Sequence, residues 1–272
     1  MASQSIARVV SGALLLVAAI AALWFLPPPF LLGIAVVIAL LAFREYVEIA
    51  ARAGVAVSWP AGGTAVALVC VSVGMPGLPV EAALAGTTLG LSALTLGRTE
   101  KVTGGAETGG ALQTAAISAF ALLYIAVPMG LLSATRWTLG REAALLLILT
   151  VAVSDTFQYY CGRTFGRHPL APVVSPKKTV EGAVGGFAGA ALTLVVLGHW
   201  WVPQIGLAGR IFLGVAVAAV GIVGDLFESV LKRSVGMKDA SAVIPGHGGV
   251  LDRIDALIFA APVYYVFVRY SF

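Results

Sequence analysis

Long apolar runs, broken by short polar turns, repeat along the whole 272-residue chain. Nine of them reach or approach the roughly 20 residues that cross a bilayer core at about 1.5 Å rise per residue. They fall at 8–26, 30–50, 58–75, 80–97, 112–133, 142–161, 182–202, 207–231 and 255–270. The pattern predicts an all-α polytopic membrane protein of about nine transmembrane helices. The first run follows Arg8 and resembles a signal segment, but it is long, and Pro27-Pro28-Pro29 leads directly into the next run rather than into a small-residue cleavage site. It is expected to be a retained helix. No repeat, low-complexity tract or soluble domain interrupts the series. Residues 1–272 therefore read as one transmembrane domain, with N-terminal helices over 1–140 and polar-motif helices over 141–272.

Composition supports the same solvent. Hydrophobic residues make up 59% and charged residues 11%, with mean hydropathy +0.97, whereas soluble domains run nearer about 45–50% and about 25%. The 32 glycines suit close helix packing in a membrane. Cys70 and Cys161 stand in or beside apolar runs with no metal-ligand spacing and no disulfide framework. A net charge of +4 does not argue for a nucleic-acid partner. Its distribution carries more: with the N-terminus on the cytoplasmic side, 13 of the 17 Lys and Arg residues fall inside and 4 outside (Arg136, Arg141, Arg210 and Arg269). The positive-inside rule selects that orientation, with the C-terminus outside. His199-Trp200-Trp201 then lies at the outer interface, where aromatic rings settle.

Two inside loops, 162–181 and 232–254, are long, glycine-punctuated and rich in both charge signs. Just before the second, Asp225, Glu228, Ser229 and Lys232 are spaced i, i+3, i+4, i+7, one face of a helix. Carboxylates in so apolar a setting cost about 2.5–3.5 kcal/mol on insertion scales and face a cavity, a partner or an ion; a carboxylate–lysine pair at the membrane edge is the plainer alternative. Pro245, Gly246, Gly248 and Gly249 permit a tight turn whose amides approach an anion. Asp252 and Asp255 follow at i, i+3, where helix capping is the plain explanation. With Asp225, Glu228 and Asp239 nearby, they also fit a magnesium–polyphosphate site, in which Lys232, Arg233, Lys238 and Arg253 hold the remaining phosphate charge. A third polar group combines Ser154, Asp155 and Gln158 with Arg163 and the run Ser175-Pro176-Lys177-Lys178-Thr179-Val180-Glu181-Gly182. Lys177 and Lys178 suit either a phosphate grip or an ordinary basic membrane anchor. No GxxxxGK[ST] loop is present. Gly182, Gly185, Gly186 and Gly189 read as helix packing and carry no chemistry.

These residues closely resemble the phosphatidate cytidylyltransferases, or CDP-diacylglycerol synthases. The family signature of 27 residues is met at Ser229, Leu231, Lys232, Arg233, Lys238, Asp239, Ser241, Ile244, Pro245, His247, Gly248, Gly249, Val250, Asp252, Arg253, Ile254 and Asp255. Two further blocks match, Ser154-Asp155-Thr156 with Gly162-Arg163, and Ser175 to Thr179 with Glu181-Gly182. The resemblance is strong over about 150–256, and residues 1–140 share only hydropathy. Gln158, Ala240 and Ala256 depart from common family choices without touching the charged set.

The resemblance implies transfer of CMP from CTP to phosphatidate, a magnesium requirement, potassium as a second cation, and a homodimer in the inner (plasma) membrane with its site facing the cytoplasm. Asp225, Asp252 and Asp255 are the implied metal ligands. Lys232, Arg233, Lys238, Asp239, His247 and Arg253 are assigned to catalysis, His247 as a turn-fixing or phosphate-contacting residue because the attacking phosphate is already ionised. Substrate binding falls to Ser154, Asp155, Arg163, Lys177, Lys178, Thr179, Glu181, Glu228, Ser229, Gly248 and Gly249. An ion-coupled transporter lined by Asp155 and Asp225 is the rival from another class; the near absence of charge in the outer halves of spans six, eight and nine counts against it. A transferase consuming CDP-diacylglycerol would show a DxxDG…AR…D…D pattern, which this chain lacks.

Overall fold

The structure, a computed structural model, describes residues 17–99, 109–237 and 248–271. Every apolar run expected to be helical is helical over its described residues. Helix α1 covers residues 17–25. Pro27 ends it, since a residue before proline is pushed out of the helical region, and Pro28 opens α2 (Pro28–Arg52), where a missing N–H costs nothing. Then come α3 (Trp59–Gly74) and α4 (Val80–Thr99). Next, α5 (Gly109–Ala121) and α6 (Val127–Thr138) are joined without a break through a π-helical turn, Leu122–Ala126. The π turn lies just before Pro128, whose ring has no N–H to offer the Tyr124 carbonyl one turn back.

The second half holds α7 (Arg141–Phe165), α8 (Val180–Val196), the single turn α9 (Gly198–Trp201), α10 (Leu207–Ser234) and α11 (Leu251–Tyr270). Four segments are long and apolar enough to cross a membrane: Pro28–Arg52, Gly110–Thr138, Arg141–Phe165 and Leu207–Ser234; Trp59–Gly74, Val80–Thr95 and Val180–Val196 are shorter apolar helices. The protein is an all-α membrane protein apart from a small amount of β structure among the described residues. Residues expected to form a plain loop make a small antiparallel hairpin of β1 (Pro169–Ala171) and β2 (Ser175–Thr179), with Pro169 opposite Thr179 and Ala171 opposite Ser175.

Among the described residues the buried side chains form two large apolar cores and a smaller one of Leu23, Leu31, Ala144 and Leu145 between α1, α2 and α7. One of the large cores joins α2, α3, the π turn, α6 and α11 through Phe43, Tyr46, Val66, Val69, Leu122, Ile125, Met129 and Ile258. The other joins α7, α8, α10 and α11 through Leu146, Leu147, Leu194, Leu213, Val217 and Tyr264, whose hydroxyl donates to the Ala143 carbonyl at 2.9 Å. Helix α11 belongs to both and locks the halves together.

Helices α7, α8, α10 and α11 approach closely because glycines line their contacts, as the GxxxG spacing of α8 predicts. A Cβ on Gly185 would sit 2.5 Å from Cys161 Sγ, one on Gly189 2.7 Å from Phe157 Cγ, and one on Gly214 2.6 Å from Ala191 Cα. A Cβ on Gly224 would collide with the Asp255 carbonyl oxygen. This tight set brings the C-terminal ends of α7 and α10 to the N-terminal ends of α8 and α11. The polar motifs stand there.

Candidate functional site

Two groups of ionisable side chains occupy that end of the bundle. In the first, Lys178 at the end of the hairpin places its ammonium 2.5 Å from Asp225 Oδ2 on α10. Asp155 on α7 and Asp255 on α11 lie within electrostatic reach of this pair and of each other. Gln158, one turn after Asp155, donates to Asp155 Oδ1 at 3.2 Å and to Ser154 Oγ at 3.3 Å. This group is open: Asp155 is exposed, and Asp225, Asp255 and Lys178 are half-buried.

The second group is closed. Lys232 is 8% exposed and Glu228 only 1%. The Lys232 ammonium lies 2.5 Å from Glu228 Oε2, one turn back on α10, and also donates to Asp252 Oδ1 on α11. The Gly249 amide donates to Asp252 Oδ2 at 2.8 Å. Gly248 has φ +80, and a Cβ there would come 2.9 Å from the same oxygen, so the Gly248-Gly249 pair wraps the carboxylate as no other residues can. With one lysine between two carboxylates, Glu228 Oε1 is buried and has no hydrogen-bond partner among the described residues, and the Tyr124 hydroxyl of the π turn is in the same condition.

Asp225, Asp252 and Asp255, expected as one ligand set, have different partners in this arrangement. Asp225 and Asp255 lie within electrostatic reach of each other and of Asp155, whereas both Asp252 oxygens are engaged by Lys232 and the Gly249 amide. Among the described residues no three His, Cys, Asp or Glu side chains converge closely enough to hold one ion. Asp252 and Asp255 are one turn apart on one face of α11.

The other expected site residues are placed as follows. Thr179 is the N-cap of α8, its hydroxyl accepting from the Gly182 amide at 3.1 Å. Glu181 accepts from the amides of Arg167 and His168 at 3.1 and 3.3 Å and meets His168 Nδ1 at 2.6 Å. Both therefore fasten the hairpin to α8. Arg163 donates to the Tyr159 hydroxyl at 3.1 Å, and Arg233 to the Met237 carbonyl at 3.3 Å, closing the end of α10. Lys177 and Arg253 are exposed beside the carboxylates, and Ser229 is half-buried on α10. Lys238, Asp239 and His247 lie outside the described residues.

One carboxylate at this end was not expected. Glu45 of α2, 2% exposed, accepts from the Val250 amide at 2.8 Å and the Leu251 amide at 2.7 Å. Its signal in the sequence was present, an acidic residue inside an apolar run of spanning length. Tyr124 is the other missed residue, and nothing in its surroundings distinguishes it in sequence from a core aromatic.

A model of the cytidylyltransferase family matches residues 6–271. Curated relatives include a phosphatidate cytidylyltransferase of Thermotoga maritima, 38% identical over 159 residues that cover 57% of this chain and 59% of that one. Another, of Aquifex aeolicus, is 45% identical over 122 residues, 45% of each chain. A third, of Haemophilus influenzae, is 43% identical over 132 residues, 47% of this chain and 46% of its own. The matched stretches thus span about half the length of these relatives.

Proposed function

The chain belongs to the cytidylyltransferase family, and from that premise we propose that it transfers CMP from CTP to phosphatidate, giving CDP-diacylglycerol and pyrophosphate. The observation that carries this reading is the gathering of five carboxylates and two ammonium groups from α7, the hairpin, α10 and α11 at one end of an apolar bundle. A lipid phosphate stays at a membrane edge by the chemistry of its tails, and a nucleoside triphosphate arrives from water. An open charged site at the end of a membrane bundle can receive both.

In the reaction a phosphate oxygen of the lipid attacks the α-phosphorus of CTP. The bond from that phosphorus to the bridging oxygen breaks, and pyrophosphate leaves with the electron pair. No proton must be removed from the nucleophile, so positioning and charge stabilisation supply the rate. Lys178 and Lys177 on the hairpin, with Arg253 on α11, are the cations that meet phosphate oxygens at the open group. Lys232 holds Asp252 and Glu228 and so sets the spacing of α10 and α11.

Five carboxylates against two ammonium groups leave an excess of hard oxygen ligands, which fits a divalent cation. Asp225 and Asp255, with Asp155 beside them, would hold magnesium, and Asp252 borders the set one turn away. Magnesium would supply charge neutralisation between the two anionic reactants. The same acidic excess suits the monovalent cation implied by the resemblance. The polar end takes the cytoplasmic side of the plasma membrane, where CTP is made, and the chain crosses nine times; the cationic bias of the inside loops supports this orientation. The homodimer implied by the resemblance completes the reading.

The test is purified protein in detergent with labelled CTP and phosphatidate, with and without magnesium. CDP-lipid and pyrophosphate should form in equal amounts only with a divalent ion, and Asp225→Asn should lose at least about a hundredfold in turnover. Failure to form either product under any metal condition would overturn the proposal.

A further inference from the structure

Among the described residues of the N-terminal helices, α1 to α6, the acidic side chain of Glu45 reaches the charged end of the bundle. Its carboxylate spans two successive amides, Oε1 to Val250 at 2.8 Å and Oε2 to Leu251 at 2.7 Å, across more than 200 residues of sequence. Those residues are the cap and first position of α11, whose amides have no acceptor inside the helix. The next donor upstream, the Gly249 amide, bonds to Asp252. Glu45 and Asp252 therefore divide three consecutive N–H groups between them, and the first turn of α11 is held from two sides. The fit leaves no slack: a Cβ on Gly249 would lie 2.5 Å from Glu45 Oε2. A negative charge at this helix end is also favoured by the helix dipole.

From this geometry we infer that Glu45 is a positioning residue for the proposed nucleotidyl transfer: it fixes the start of α11 so that Asp252 meets Lys232 and Asp255 faces Asp225. The inference rests on the reading of the reaction given above. It also gives the N-terminal helices a part in the site that no motif of theirs announces. A buried carboxylate spent on two backbone amides is a rigid clamp, because both oxygens are used and neither has room to turn. Misplacement of reacting groups by about 1 Å costs about a hundredfold in rate, so loosening the clamp should be felt in turnover more than in substrate affinity.

Glu45→Gln keeps the volume and turns one acceptor oxygen into an amide NH2, a donor facing an N–H. Expected is a fall in kcat of about tenfold to a hundredfold, with the KM values for CTP and phosphatidate within about twofold. Glu45→Asp, which keeps the charge but is one methylene too short to span both amides, should recover part of the loss. Gly249→Ala pushes the same contact apart and should reproduce the Glu45→Gln result if that variant does not fold. Hydrogen exchange of the peptide spanning Gly249–Leu251, measured without substrates, should be slow in the unaltered protein and faster in these variants. Unchanged exchange, or activity lost only in proportion to folded protein, would overturn the role of Glu45. Absence of CDP-lipid from the unaltered protein would instead overturn the reaction, while the exchange measurement still decides whether the clamp exists.

Discussion

The two halves of this bundle are packed by different means. In the N-terminal half, large side chains fill the space between helices: Phe43, Tyr46, Leu122, Ile125 and Met129 are buried, and glycines there, such as Gly62 and Gly74, approach the ends of side chains, Phe43 and Leu32. Gly130, against the Cys70 carbonyl, is the exception. In the C-terminal half glycines meet both side chains and backbone: Gly185 faces Cys161 Sγ and Gly189 the Phe157 ring, while Gly182 faces the Gln158 carbonyl, Gly214 faces Ala191, and Gly224 faces the Asp255 carbonyl. Close approach to main chain recurs along the second half, whereas in the first it centres on Gly130. Only the second arrangement brings short Asp side chains of different helices within reach of one another. Close backbones are what a site built from aspartates in a membrane requires.

Substitutions can break that contrast, and their expected costs differ in size. The largest belongs to Lys232→Met, which leaves Glu228 and Asp252 buried without their shared cation. Such a loss costs about 3–5 kcal/mol, read as a lowered unfolding midpoint in detergent together with lost activity. Next comes Phe43→Ala, which empties a fully buried ring position in the first half. It should destabilise by about 3 kcal/mol and lower kcat per folded molecule only through the neighbouring Glu45 contact. Gly214→Val forces α8 and α10 apart at about 1–3 kcal/mol. It should lower kcat more than Phe43→Ala does, because Asp225 rides on α10; equal kcat effects from the two would erase the distinction between the halves. Smallest is Thr179→Ala, which removes the N-cap of α8 at about 1 kcal/mol. If Thr179 serves only as a cap, KM for both substrates stays constant, and a large KM change would restore it to the substrate contacts.

Tyr264, Leu213 and the other core residues needed no structure to be placed in helices, since spans of apolar residues declare themselves wherever water is the wrong solvent. Lys232 beside Glu228 was equally legible, because i, i+4 spacing on a helix puts two side chains together wherever the helix lies. The hairpin 169–179 was not foreseen: its strands are short, and proline, lysine and threonine there have no alternating pattern. That Thr179 caps α8 and Glu181 accepts from the Arg167 and His168 amides was not legible, because charge near a motif says nothing about which backbone amides lie within reach.

What the chain determined alone is therefore everything of short range or of solvent: the helices, the membrane, the acidic face of α10 and the motifs that mark the family. Only the tertiary structure decided that both oxygens of Asp252 are taken by Lys232 and the Gly249 amide while Asp155 lies within electrostatic reach of Asp225 and Asp255, and that Glu45 accepts from the first amides of α11 across the length of the sequence. The physical reason is one of range. Hydrophobic periodicity is written residue by residue, whereas which carboxylates meet depends on how closely four helices approach and how each is rotated, and those are set by all of their contacts together.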